Sequence, residues 1–179
     1  MDTTTLTFRS ATVLDAEPVA ALAIQVFLDT YATEGVRPDL ADEVFSAYGP
    51  DQFEQRLQEP GRTLVLATQG AGIVGFAEVL VADVPSPVAG CLGAELVRLY
   101  VQPRAQGRGL GRALMAHAEA RARKAGASGL WLTAWEHNTR ALGFYDHLGY
   151  VDVGPTAFVI QARSYVNRVL HKRLAVASN

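Results

Sequence analysis

Apolar residues recur along this chain in two rhythms, and the switches between them mark out its elements. From Ala16 to Tyr31 the period is helical: Val19, Leu22, Ala23, Val26 and Thr30 share one face. Ile24, Phe27 and Leu28 widen that stripe until the helix is apolar nearly all round, which predicts a helix wedged between layers. Asp15 stands where a cap is expected, and Pro18 is tolerated in the first turn. A second helical region, residues 40–57, is broken by Gly49-Pro50. Short apolar runs at residues 6–9, 63–68, 73–81, 94–101, 130–135, 151–160 and 165–174 read as strands. Gln69-Gly70-Ala71-Gly72 joins the second and third as a hairpin, and residues 83–93, rich in Pro and Gly, read as a loop. A helix over residues 110–125 ends with Lys124 in its last turn and Gly126 beyond. Asn138 caps a short helix in which Ala141, Phe144, Tyr145 and Leu148 repeat at helical spacing, and Gly149 closes it. The last two strands are expected to be antiparallel.

Between the strand at 94–101 and the helix at 110–125 lies Gln106-Gly107-Arg108-Gly109-Leu110-Gly111-Arg112. Glycines at alternate positions let a backbone bend sharply and approach a ligand with no Cβ in the way. The free N–H groups and dipole of the helix start make an anion site, and Arg104, Arg108 and Arg112 crowd the same turn. A phosphate-bearing ligand is the first expectation. A Walker loop is excluded because the turn holds no Lys, and a dinucleotide fingerprint is disfavoured because Arg112 takes the place of its third glycine.

What remains is Gln106-x-x-Gly109-x-Gly111 after Glu95-Leu96-Val97-Arg98-Leu99-Tyr100-Val101. It resembles the pyrophosphate loop of the GCN5-related N-acetyltransferases, the GNAT superfamily. Trp135-Glu136-His137-Asn138 and Ala141-x-x-Phe144-Tyr145-x-x-x-Gly149-Tyr150 add a second matching block. The resemblance covers nearly the whole chain and is most specific over residues 95–149. It implies an α/β (α+β) fold: a mixed, strongly twisted sheet of about seven strands with helices on both faces. The predicted element order, a strand, two helices, three strands, helix, strand, helix and two strands, agrees.

Composition narrows the setting. The 179 residues, 49% apolar, suit one domain over 1–179 with a real core. No apolar run approaches the ~18 residues of a membrane span, and the N-terminus shows no signal pattern. A single cysteine, Cys91, excludes an intrachain disulfide and suits a reducing cytoplasm. Residues 1–60 carry eleven acidic and three basic side chains, a net of −8; residues 61–179 carry a net of +6. A basic part bearing the loop suits an anionic cofactor, and an acidic part suits a cationic second substrate. The basic residues form no run and no aromatic-interleaved motif, so nucleic acid is disfavoured. His117, His137, His147 and His171 lack metal-ligand spacing, so no metal is expected.

The resemblance also assigns roles. It implies acetyl-CoA as donor, its pyrophosphate held by backbone N–H groups of Gly107, Arg108, Gly109, Leu110, Gly111 and Arg112, with Gln106 in the same cofactor-binding set. Backbone at Leu99, Tyr100 and Val101 would pair with the pantetheine arm, and the Val101 N–H would meet the acetyl oxygen. Asn138 would contact the same arm, and Tyr145 would donate a proton to the leaving thiolate. The acceptor is expected to be a primary amine, which with a pKa of ~10.4 is neutral in only about one molecule in 2,500 at pH 7. A base must take its proton; Glu95 matches the family's glutamate, with Glu78 and Glu136 in reserve. Trp131, Trp135 and Phe158 read as core aromatics, and Tyr31 and Glu34 fall where relatives shape the acceptor pocket. The second block looks like that of some bacterial polyamine acetyltransferases, so a small cationic amine leads. A protein N-terminus or lysine, and a non-catalytic acyl-CoA sensor, stay open, and a homodimer through the C-terminal strands is what relatives suggest.

Overall fold

The computed structural model describes residues 5–81, 85–160 and 163–175. Seven strands, β1 (Leu6–Ser10), β2 (Arg62–Gln69), β3 (Gly72–Leu80), β4 (Ala94–Val101), β5 (Gly129–Trp135), β6 (Val151–Ile160) and β7 (Arg163–Arg173), form one sheet. Their order in it is β1-β2-β3-β4-β5-β7-β6. β4 and β5 are parallel, whereas β1 with β2, β5 with β7, and β6 with β7 are antiparallel, so the sheet is mixed. Five helices accompany it: α1 (Ala16–Tyr31), α2 (Pro38–Ala47), α3 (Pro50–Gln58), α4 (Leu110–Lys124) and α5 (Thr139–His147). This is the architecture the resemblance implies. The expected loop falls partly on residues 82–84, which lie outside the described residues; residues 85–93 carry neither helix nor strand.

Local chemistry explains most boundaries. Pro38 and Pro50 each occupy a first helical position, where a missing N–H costs nothing and the fixed φ suits the helix. They split the single broken helix of the sequence into α2 and α3. At the far end of α4, Gly126 adopts φ +82° and donates to Arg123 O, while Ala127 donates to Ala122 O. That paired closure satisfies carbonyls the helix would otherwise leave open.

Two expectations about α1 need correction. Asp15 does not cap α1 with its side chain; its carboxylate instead accepts from Thr12 N–H at 2.8 Å and from both terminal nitrogens of Arg9 at 2.6 and 2.8 Å. The hydrogen bonds from Arg9, helped by those from Thr12, overcome partial burial and hold it down at about 2. Nor is α1 enclosed all round. Ala16, Val19, Ala20, Leu22, Ala23 and Phe27 are buried, while Glu17, Ala21, Gln25 and Asp29 face solvent. Apolar type at Ala21 does not oblige burial, because small residues are tolerated on either side.

The chain divides into two compact units, Met1–Glu78 with Arg98–Ala118, and Val79–Val97 with Glu119–Asn179. In the first, Phe27, Leu40, Phe53, Leu66, Phe76 and Leu114 are sealed from solvent, with Phe53 edge-on to Phe76 and Phe76 edge-on to Tyr100. In the second, Leu130, Leu132, Ile160 and Val169 form the centre. There the buried Glu119 accepts from Lys172 at 2.7 Å, Arg123 at 2.9 Å and the Tyr150 hydroxyl at 3.3 Å, so its charge is fully answered.

Candidate active site

In the first unit, β4 ends at Val101 and a 3-10 turn, Pro103–Ala105, leads into the glycine stretch. Gly107 and Gly109 adopt φ of +75° and +80°, a region that L side chains enter only with strain. A Cβ at either would meet nothing within 4 Å, so the backbone angle is what calls for glycine there. Gly111 differs from its partners: it lies in the first turn of α4 and keeps an ordinary helical sign of φ. Ala105 and Leu110, each 4% exposed, pin the two ends of the loop into the core while residues 107–109 stay exposed.

Gly109 O accepts from Ala113 N at 3.0 Å and so starts the α4 ladder. Among the described residues, the N–H groups of Gly107, Arg108, Gly109, Leu110, Gly111 and Arg112 find no protein acceptor. These donors stand at the start of α4, the positive end of its dipole, with residues 107–109 exposed; that is the kind of place where anions bind. Arg104, Arg108 and Arg112 are exposed beside it; Arg108 reaches Gln69 Oε1 only at 3.5 Å.

Gln106 behaves otherwise. Its backbone N–H donates to Pro103 O at 3.2 Å and its side-chain Nε2 to Val101 O at 2.9 Å. Tyr100 directs its ring inward against Phe76, with its hydroxyl 3.4 Å from that of Tyr48; burial pushes its phenol well above the ordinary value.

Glu78, a reserve base from sequence, is corrected here. It is 0% exposed, and its two oxygens accept from Arg62 at 2.5 Å and Arg98 at 2.6 Å. Sealed from solvent and held by two arginines, this carboxylate is not open to an incoming amine. Burial works against the Arg98 charge, but the Glu78 carboxylate with Tyr48 and Tyr100 outweighs it and leaves the guanidinium above its ordinary value.

In the second unit, the parallel register joins Ala94 to Leu130 and Glu95 to Trp131, placing the part-exposed Glu95 at the head of β4. Asn138 caps α5: its Oδ1 accepts from Ala141 N at 3.1 Å. It stands outside the helix proper, at the N-cap position of α5. Tyr145, 8% exposed, packs its ring on Phe144 and Tyr150. No described residue hydrogen-bonds its hydroxyl, although a core tyrosine ordinarily finds a partner. Burial pushes this phenol well above its ordinary value, so it stays protonated through the neutral range. Glu136 lies 3.7 Å from His137 and is half-exposed. Of the aromatics expected in the core, Trp131 is buried; Trp135 and Phe158 are part-exposed and pack with Tyr165 instead.

Gly75, in β3, also bears on the end of β4. A Cβ there would stand 2.8 Å from Tyr100 O and 3.3 Å from Val101 Cγ2, so β3 and β4 meet closely only because residue 75 has no side chain. A lone glycine inside an apolar strand run was the available signal.

The acetyltransferase (GNAT) family model matches residues 25–150. An uncharacterized N-acetyltransferase of Lactobacillus delbrueckii subsp. lactis is 27% identical over 160 residues, covering 89% of this chain and 92% of that one. In fold, the chain is similar to the PaiA N-acetyltransferase of Thermoplasma acidophilum solved with coenzyme A, at TM-score 0.72 and 18% identity over 94% of this chain and 99% of that one. It is likewise similar to a putative acetyltransferase of Salmonella typhimurium solved with acetyl-CoA, at TM-score 0.69 and 21% identity over 97% and 96% of the two chains.

Proposed function

The chain belongs to the GNAT acetyltransferase family, and from that premise we propose that it moves an acetyl group from acetyl-CoA to a small cationic amine by direct attack. The observation that carries this reading is the row of six main-chain donors from Gly107 to Arg112 with no protein acceptor among the described residues. Such a row fits a diphosphate, whose several oxygens need several donors at once.

Acetyl-CoA supplies the activated thioester. Backbone of Leu99, Tyr100 and Val101 aligns its extended amide-bearing arm, with the Val101 N–H set against the acetyl oxygen as charge builds there. Glu95 takes the proton of the incoming amine, directly or through a water. The Tyr145 hydroxyl serves the leaving sulfur. A phenol above ~10 does not hand its proton outright to a thiolate of pKa ~8.5; it stabilises that thiolate as a hydrogen-bond donor. This refines the expected proton transfer into a charge-assisted hydrogen bond.

The acidic first 60 residues, net −8, favour a cationic acceptor. The test is thiol release from acetyl-CoA in the presence of spermidine, amino acids, aminoglycosides or peptides. Turnover with the polycations above that with neutral amines and peptides is expected. Preference for a peptide N-terminus would reassign the acceptor, and CoA binding without turnover on any amine would reduce the protein to a sensor.

A further inference from the structure

We propose that Gln106 is a positioning residue that locks the end of β4 to the phosphate loop and so sets both ends of the acetyl-CoA site together. The inference rests on the acetyl-CoA reading above. Gln106 lies where a direct phosphate ligand would be expected, yet its backbone N–H is engaged by Pro103 O and its carboxamide turns back to donate to Val101 O at 2.9 Å.

The peptide unit so gripped is held elsewhere too. Its N–H, on Gln102, donates to Val74 O of β3 at 2.9 Å. One unit earlier, Tyr100 O fits against Gly75, where any Cβ would stand at 2.8 Å. The last two peptide units of β4 are therefore fixed on three sides: by the neighbouring strand twice, and by the loop through Gln106. The 3-10 turn at Pro103–Ala105, anchored by the buried Ala105, closes the ring between Val101 and Gln106.

This ring fixes the spacing between the Val101 N–H and the loop donors before any ligand arrives. A ligand that presents an acyl oxygen at one end and a diphosphate at the other needs both placed at once. Small errors of placement then cost turnover as well as affinity. The chemistry required of residue 106 is specific: a side chain long enough to reach back, carrying a donor. Gln and Arg meet it. Leu fills similar space without a donor, and Glu would set an acceptor against the carbonyl.

The experiment measures CoA affinity by calorimetry, the kinetic constants for acetyl-CoA and amine, and the melting temperature, for wild type, Gln106→Leu, Gln106→Glu and Gln106→Arg. Gln106→Leu is expected to weaken CoA ~10-fold and lower kcat at saturating acetyl-CoA several-fold, with KM for the amine unchanged and the protein folded. Gln106→Glu should be at least as impaired, and Gln106→Arg should regain most of the lost kcat. A Gln106→Leu enzyme equal to wild type overturns the inference. So does one that loses affinity with kcat intact, because a direct phosphate contact acts on binding alone. An Arg variant as poor as the Leu variant overturns it as well. If wild type itself binds no CoA, the acetyl-CoA reading falls and takes this inference with it; if wild type binds and the variants match it, only the inference falls.

Discussion

Glu78 and Arg98, on neighbouring strands β3 and β4, are joined at 2.6 Å in a core where Glu78 is 0% exposed. Arg62 holds the second oxygen, and Arg98 in turn lies over the Tyr48 ring at 5.0 Å. The pair ties β3 to β4 inside the core.

Removing that carboxylate's charge would strand two guanidinium groups in the core. Glu78→Gln is expected to cost about 3–5 kcal/mol, read as a fall in the urea midpoint at constant m. A loss below about 1 kcal/mol would show that water or a rearranged partner already answers the arginines.

Gly75→Ala tests the close approach of β3 to β4. Its Cβ would stand 2.8 Å from Tyr100 O, a backbone atom that cannot swing aside. The expected cost is about 1–3 kcal/mol of stability, with a raised KM for acetyl-CoA in the protein that remains folded. Unchanged kinetics and stability would mean the strands slide apart freely.

For Tyr145→Phe, the hydroxyl has no partner among the described residues, so folding should not miss it. Stability is expected within ~0.5 kcal/mol of wild type. CoA affinity should hold while kcat falls ~10- to 100-fold, the worth of one hydrogen bond to a developing anion. Equal turnover would remove Tyr145 from the chemistry.

The Arg9–Asp15 pair predicts a pH dependence. Asp15 is held at about 2, below its unfolded value of 3.8, so its contribution is present above pH ~4 and lost as pH falls toward 2. With Arg9 half-exposed, the contribution is discounted to about 1 kcal/mol. Asp15→Asn should lower stability by about that amount at pH 7 and by nothing near pH 2, measured by denaturant titration at both. A gap that persists in acid would assign the loss to shape rather than charge.

How far the sequence speaks depends on whether a feature is local. The Gly49-Pro50 break, the Gly126 stop and the Asn138 cap each follow from one or two residues acting on their own backbone, and all three stand where the pattern puts them. The sharp turn at Gly107 and Gly109 was legible for the same reason, since the glycine spacing is itself the signal. Glu78 was misread because nothing in its own segment announces Arg62 and Arg98, sixteen and twenty residues away. Asp15 was misread because two mechanisms compete for one carboxylate, and Arg9 across a short turn outbids the helix start. Gly75 and the reach of Gln106 depend on where two strands and a loop meet. Such meetings are set by packing, which periodicity does not encode.

The most direct measurement is an amide-proton titration by NMR with coenzyme A, and in parallel with inorganic pyrophosphate. The account predicts large downfield shifts at Gly107 through Arg112 with either ligand, and added shifts at Leu99 to Val101 only with the full coenzyme. Binding of coenzyme A that perturbs other amides while those of residues 107–112 stay in place would contradict it.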